Sequence, residues 1–259
     1  MSTTEGFNRL KDCRHGRMLY NVHDMYVGRS LELYGEFSEG ETQLFGQIVR
    51  PGDLVIEVGA NIGAHTVWFA RQTAPRGGVI AIEPQRIVFQ VLCANVALNS
   101  LANVLTMQKA CGEENGSIVV PMLDPTATNN FGGLELGKYE QGERVEMMRL
   151  DDLGLNGCRL LKVDVEGMEL SVLKGARELI LRSKPVLYVE NDRPHLSDAL
   201  IRYIDSLGYE CFRHWPPLFN PDNFFKNSQN VFSNIVSKNM ICLPKGVGVA
   251  GAQPIPVPA

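Results

Sequence analysis

Long apolar runs are missing from this sequence: no stretch of about 18 uncharged apolar residues occurs, so no membrane-spanning helix is expected. Paired cysteine motifs are missing too. The six cysteines, at positions 13, 93, 111, 158, 211 and 242, include no C-x-x-C, which excludes a zinc knuckle and a thioredoxin-type redox motif and leaves reduced thiols as the expectation. There is no basic surplus. Lys and Arg number 25 against 29 Asp and Glu, a net charge of -4, so neither a nucleic acid nor an anionic membrane surface is an expected partner. The opening segment MSTTEGFNRLKDCRHGRM has no apolar h-region, and a cytoplasmic location is expected.

What is present is ordinary globular material. The 259 residues are 44% hydrophobic and 21% charged, which suits one large folded domain with embellishments. Strands are expected at 54–58, 79–83, 103–109, 159–164 and 185–190, and more weakly at 209–213 and 240–243. Between the earlier ones lie helical patterns. Ile87, Val88, Val91 and Leu92 share one helical face, as do Leu170, Leu173, Ala176 and Ile180. Apolar strands alternating with amphipathic helices predict a mainly parallel, doubly wound α/β sheet, because parallel neighbours need crossovers. Residues 1–50 read as an N-terminal cap, with short β-like pieces at 18–22 and 25–27 and a helix from Glu41. Residues 51–243 form the catalytic-type domain, and 111–158 a β-rich insertion with pieces at 117–122 and 144–150. Residues 244–259, rich in Gly, Pro, Ala and Val, read as a flexible tail.

The sharpest local feature is Glu57-Val58-Gly59-Ala60-Asn61-Ile62-Gly63, where an apolar strand turns into a helix. Glycines at a strand's carboxyl end let a ligand approach the backbone, and open α/β sheets bind nucleotides there. A G-x-G-x-x-G dinucleotide loop would need glycine at position 61, where this chain has Asn. Between Asp53 and Ala70 there is no Lys or Arg to meet a phosphate. An acidic rim with Glu57 suits S-adenosylmethionine, which has no phosphate but carries an ammonium and a sulfonium. Glu83 ends the next strand, 20 positions beyond Gly63, where a carboxylate accepts ribose hydroxyls.

EVGANIG, IEPQ and LLKVDVEGMELSVLKGA resemble the FkbM-type S-adenosylmethionine-dependent methyltransferases, over roughly residues 35 to 192. The resemblance implies a Rossmann-like, seven-stranded methyltransferase sheet with an antiparallel last strand and helices on both faces. It implies methyl transfer to a hydroxyl oxygen, on a saccharide or a small natural product. Position by position, it places Gly59, Ala60, Asn61 and Gly63 around the methionine part of the cofactor, Glu57 near its amino group and Glu83 on its ribose. Ala110-Cys111-Gly112 then borders the adenine.

Two strand ends carry acids: Asp164-Val165-Glu166 and Glu190-Asn191-Asp192. In such a sheet the strand ending at 164 adjoins the first strand, so Asp164 is expected beside the sulfonium. Asp164, Glu190 and Asn191 are candidate ligands for Mg²⁺, a hard ion that would lower the pKa of an acceptor hydroxyl. Without a metal, Glu166 and His195 are the candidate bases, and His65 is a helix residue that could touch substrate or cofactor. Tyr34 to Ser38 is a candidate cover for the cofactor, and the aromatic stretch 214–225 a candidate acceptor wall. Two competing readings are an NAD-linked oxidoreductase, for which Arg86 could meet a phosphorylated ribose, and a catalytically silent adenosyl-binding scaffold. The sequence sets no oligomeric state.

Overall fold

In a computed structural model the described residues are 6–249 and 252–258. Residues 1–5 of the expected cap and residues 250, 251 and 259 of the expected tail lie outside them. The chain opens with a hairpin, β1 (Asn8–Cys13) and β2 (Gly16–Asn21), then α1 (Val27–Tyr34) and α2 (Glu39–Ile48). The alternating part follows as β3 (Leu54–Val58), α3 (Ala64–Thr73), β4 (Gly78–Ile82), α4 (Arg86–Leu98) and β5 (Val104–Met107). An insertion supplies β6 (Ala110–Cys111), β7 (Gly116–Val120) and β8 (Glu143–Met148). The second half runs β9 (Leu160–Val163), α5 (Glu169–Gly175), α6 (Arg177–Ser183), β10 (Val186–Glu190), α7 (Pro194–Ser206), β11 (Tyr209–His214) and β12 (Asn239–Pro244).

The main sheet has seven strands in the order β11-β12-β10-β9-β3-β4-β5. β3, β4, β5, β9 and β10 pair in parallel, whereas β12 is antiparallel to both of its neighbours. This is the expected doubly wound α/β sheet with an antiparallel last strand. The order reverses at β3, whose neighbours are β4 and β9, so a crevice opens at their carboxyl ends.

Both faces of the sheet are buried, and strand periodicity decides which residue goes where. Ile56, Ile80, Leu161, Leu187 and Val189 pack with Val172, Leu173 and Ile204 on one face. Val55, Val79, Leu160, Val186 and Tyr188 pack with Phe45, Trp68, Phe69 and Leu92 on the other. Each such aliphatic side chain contributes about 1.5–3 kcal/mol on full burial. Glu57 and Lys162 keep step with Val55 and Leu160, so the second face receives charge as well as apolar groups.

α4 buries Val88, Val91, Leu92 and Asn95, a single helical stripe. Asn95 is satisfied throughout: its carbonyl oxygen accepts the Leu19 N–H at 2.6 Å, and its amide donates to the carbonyls of Leu19 at 3.0 Å and Ile62 at 2.8 Å. The hairpin of the cap is thereby tied to the glycine loop. The piece at 25–27, read as β-like, instead ends in Val27 at the start of α1. An Asx turn explains this, with Asp24 Oδ1 accepting the Tyr26 N–H at 2.9 Å and initiating the helix. β6, β8 and β7 form a separate three-stranded sheet in the 111–158 region. Of the 244–259 stretch, Ile255 donates its N–H to the Cys211 carbonyl at 2.7 Å. All six cysteines are free thiols, and among the described residues no helix is long and apolar enough to cross a membrane.

Candidate active site

A cavity of about 410 Å³ occupies the crevice at the carboxyl ends of β3, β4, β9 and β10. Glu41, Glu57, Glu83, Asp164, Glu166, Glu190 and Asp192 line it against Lys162 and Lys238, seven carboxylates to two ammonium groups. A smaller pocket of about 40 Å³, lined by Ala110, Cys111, Leu134 and Leu136, shares Gly59, Glu83 and Asp164 with it. Thus the residues expected at the ribose and adenine share one connected surface.

The glycine loop is built by close approach. Gly59 has φ +81°, and a Cβ there would stand 1.7 Å from the Asp164 carbonyl oxygen. Only a residue without a side chain lets the ends of β3 and β9 come together this way. Asn61 takes the left-handed φ of +50° that a glycine would otherwise supply, which Asn tolerates better than most residues. Its carbonyl oxygen accepts the Ile62 N–H at 2.7 Å. Gly63 does not line the cavity; it has φ +85° and a Cβ would meet Leu92 at 2.7 Å, so it serves the entry of α3.

Glu83 accepts N–H bonds from Asn61 at 3.0 Å and Gln85 at 2.9 Å, one on each oxygen. A carboxylate has further lone pairs, so ribose hydroxyls can still donate to it. Glu57 accepts the Thr66 hydroxyl at 2.6 Å and lies 3.8 Å from the ammonium of Lys162. Lys162 donates to Asp164 at 3.0 Å. Burial would strip the Lys162 proton, but Asp164, Glu57 and Glu41 more than offset it and hold its pKa above the ordinary lysine range. The sequence signal for Lys162 is a lone charge between Leu161 and Val163 in an otherwise apolar strand.

Burial pushes Glu57 and Glu83 up to about 7, from an ordinary 4.5, and Lys162 only partly counteracts this at Glu57. A group whose pKa rises on folding lends its full stabilisation below the unfolded value and loses it as pH climbs through the folded value. The ligand-free protein is therefore expected to melt at progressively lower temperature from pH 5 to pH 8. Scanning calorimetry across that range checks this, and a flat or rising melting temperature would contradict it.

The acids of β9 and β10 converge only in part as expected. Carboxylate oxygens of Asp164, Glu166 and Glu190 lie within 4.8 Å of one another. Arg193 bridges two of them, donating to Glu166 at 2.5 Å with its other terminal nitrogen 3.6 Å from Glu190. Burial, reinforced by Asp164 and Glu166, pushes Glu190 up to about 10, and burial takes Glu166 to about 7. Asn191 does not line the cavity; its amide nitrogen donates to the Ser197 hydroxyl at 2.9 Å and its N–H to the Lys238 carbonyl at 2.8 Å. Successive residues of an extended chain point to opposite sides, so Glu190 and Asn191 do not face one point. Glu166 takes the third place.

His195 is exposed on the first turn of α7 and does not line the cavity. Pro194 opens that helix, and Arg193 fills the approach to Glu166. Arg86 donates to Glu143 at 2.5 Å, so its guanidinium is committed to the insertion. Of the 214–225 stretch, Leu218 alone lines the cavity; Trp215 is half exposed, and Phe224 and Phe225 pack against Gly35. Within Tyr34–Ser38, Phe37 reaches the cavity, joined by Tyr26, Val27 and the segment Ile235–Asn239. The insertion contributes Asn130 and Gly132, held there by Gln85, whose amide donates to the Phe131 carbonyl at 2.6 Å.

A Rossmann-like sheet reversing at β3, with an antiparallel last strand and an acid-lined crevice at the reversal, defines a fold of the methyltransferase class. The chain belongs to the FkbM methyltransferase family: the Methyltransferase FkbM domain matches residues 57–211, more than half of it. It is 32% identical over 159 residues to Methyltransferase sdnD of Sordaria araneosa, covering 48% of this chain and 60% of that protein. It is 28% identical over 231 residues to 31-O-demethyl-FK506 methyltransferase FkbM of Streptomyces tacrolimicus, covering 76% of this chain and 88% of that one. The crystal structure of Methyltransferase FkbM from Methylobacillus flagellatus KT superposes with a TM-score of 0.50 at 21% identity, over 77% of this chain and 50% of that one, a likeness of fold.

Proposed function

We propose that this protein transfers a methyl group from S-adenosylmethionine to a hydroxyl oxygen of a saccharide or small natural product. The observation that carries the reading is the acid surplus of the cavity at the switch point, which suits a ligand with an ammonium and a sulfonium and repels a diphosphate. Gly59, Ala60 and Asn61 would hold its methionine part, Glu57 would counter its ammonium, Glu83 would take its ribose, and Ala110 and Cys111 would border its adenine. When bound, it supplies a methyl carbon made electrophilic by positive sulfur. The chain's part is to align an oxygen with that carbon and exclude water.

The rest of the wall includes Tyr26, Val27, Phe37, Leu218, Ile235 and Val236. This apolar lining supports an acceptor with a hydrophobic body around its hydroxyl. The Streptomyces relative, named for methylating 31-O-demethyl-FK506, supports oxygen as the acceptor atom.

Titration calorimetry tests the cofactor. S-adenosylhomocysteine is expected to bind in preference to NAD, and Glu83→Ala to weaken it about 10- to 100-fold, the worth of hydrogen bonds to a charged group. Preference for NAD would overturn the reading. Label transfer from methyl-labelled S-adenosylmethionine to a panel of hydroxyl compounds then separates an enzyme from a silent adenosyl-binding scaffold.

A divalent ion such as Mg²⁺ is a second proposal, resting on Asp164, Glu166 and Glu190 and on the Oε2 of Glu190, which is buried without a hydrogen bond and has only the Arg193 guanidinium at 3.6 Å. There the ion would act as a Lewis acid on the hydroxyl, in competition with the cation of Arg193. Transfer that survives both chelation and Asp164→Asn without loss would reject it.

A further inference from the structure

Of the seven carboxylates that line the cavity, five have a Lys or Arg nitrogen within 4.0 Å: Lys162 serves Glu57 and Asp164, and Arg193 serves Glu166, Glu190 and Asp192. Such pairing makes a carboxylate a weaker base. Glu83 has no cation, but each of its oxygens accepts a main-chain N–H. Glu41 is left. It stands in the first turn of α2 and is 3% exposed, and among the described residues no Lys or Arg lies within ion-pair distance of it. Its Oε1 accepts the Ser38 hydroxyl at 2.9 Å and the Asn239 amide at 3.0 Å. The second hydrogen of that amide goes to the Tyr188 hydroxyl at 3.0 Å, which leaves the Tyr188 proton for Nδ1 of His214 at 2.8 Å. The carboxylate is thus held from behind. Its Oε2 makes no hydrogen bond: Nε2 of His65, at 3.9 Å, is out of reach. That nitrogen is shut away from solvent whereas Glu41 Oε2 is not, so this oxygen is what Glu41 presents to the cavity. Ser38 and Asn239 belong to the two segments that carry Phe37, Ile235 and Val236, the apolar wall on the acceptor side. Burial, with Asp164 adding to it, holds the Glu41 pKa above the ordinary 4.5, and Lys162 partly counters this.

We infer that Oε2 of Glu41 accepts the hydrogen bond of the acceptor hydroxyl and takes its proton as the methyl group arrives. The inference rests on the methyl-transfer reading above. Of the bases expected from the sequence, Glu166 is tied to Arg193 and His195 lies outside the cavity. The acceptor oxygen forms a bond to the methyl carbon with its own lone pair, and the carbon–sulfur pair stays with sulfur as a neutral thioether. The O–H bond breaks, its electron pair stays on oxygen, and the proton passes to Oε2, leaving a neutral carboxylic acid. One positive and one negative charge disappear together, a change that a poorly solvated cavity favours. An oxygen that carries both its proton and a forming methyl bond is a far stronger acid than the parent alcohol. A carboxylate therefore suffices.

The test is infrared difference spectroscopy at pH 8 on protein saturated with S-adenosylhomocysteine, with cyclohexanol, a hydroxyl on an apolar ring, as the probe. Glu41→Gln assigns the bands, since Gln keeps the shape and still accepts from Ser38 and Asn239. Should that variant not fold, Glu41→Asp assigns them instead, because an Asp carboxylate absorbs at a different frequency. The expected result is one carboxylate band that shifts saturably as cyclohexanol is added and that the substitution removes or moves. A shift that persists unaltered in the variant, no shift at all, or a Glu41 that absorbs as the protonated acid overturns the inference while leaving the cofactor reading intact. Failure of S-adenosylhomocysteine to bind overturns both. On an acceptor found by label transfer, Glu41→Gln is expected to lower kcat by about 100-fold or more without changing the Kd of S-adenosylhomocysteine. An unchanged kcat overturns the role.

Discussion

Lys162→Met is expected to destabilise the protein by about 3–5 kcal/mol at pH 8, the range for removing one partner of a buried ion pair. For a chain of this size that is a fall of roughly 6–20 °C in melting temperature. The reason is local. Lys162 sits in register beside Glu57 across β3 and β9, and both side chains are almost wholly buried. Without the ammonium, Glu57 is left as an uncompensated charge in a low-dielectric face of the sheet until it binds a proton. The loss should therefore shrink at pH 5.5, where Glu57, with its pKa near 7, is already neutral. Adding Glu57→Gln should restore part of the stability, since the double variant leaves less charge to bury. A melting temperature within about 2 °C of wild type at pH 8 would show that the pair does not hold β3 to β9.

Gly59→Ala should have the largest effect on ligand binding. Its new Cβ would overlap the Asp164 carbonyl oxygen at 1.7 Å, so β3 and β9 must separate or the loop must rotate. The left-handed backbone adds a further 1–3 kcal/mol of strain, to order of magnitude. S-adenosylhomocysteine affinity is expected to fall by more than about 100-fold, because the loop amides, Asp164 and the approach to Glu83 shift together. Gly52→Ala supplies the comparison. Gly52 also has positive φ, +97°, but nothing lies within 4 Å of its added Cβ. It should lower stability through strain alone and leave binding unchanged. If calorimetry places Gly59→Ala within threefold of wild type, the crevice between β3 and β9 is not where the cofactor sits.

Several parts of the site could be read along the chain because they are local. The apolar run Leu54–Ile56 leading into a glycine turn, and Glu83 at the end of the next strand, are consecutive or nearly so. Their geometry follows from strand, turn and helix rules alone. Asp164 could be placed because strand order puts β9 beside β3. Asn191 was misplaced despite a usable signal: alternation along β10 puts it on the side opposite Glu190. His195 was misplaced because a helix start fixes where a side chain leaves the backbone, and Pro194 opens α7 with that residue turned outward. Lys162, Glu41 and His65 share one face of the sheet with α2 and α3. Their meeting depends on how the cap folds back, a contact between segments far apart in sequence.

The doubly wound sheet, the glycine turn and the acid at the second strand end were determined by the amino-acid order itself, since periodicity and turn chemistry act over a few residues. Which carboxylates meet, and that Arg193 lies between Glu166 and Glu190, were decided only in three dimensions. Electrostatics and desolvation depend on distance through space, and residues 41, 65, 162 and 239 become neighbours only once the sheet has closed beneath the cap.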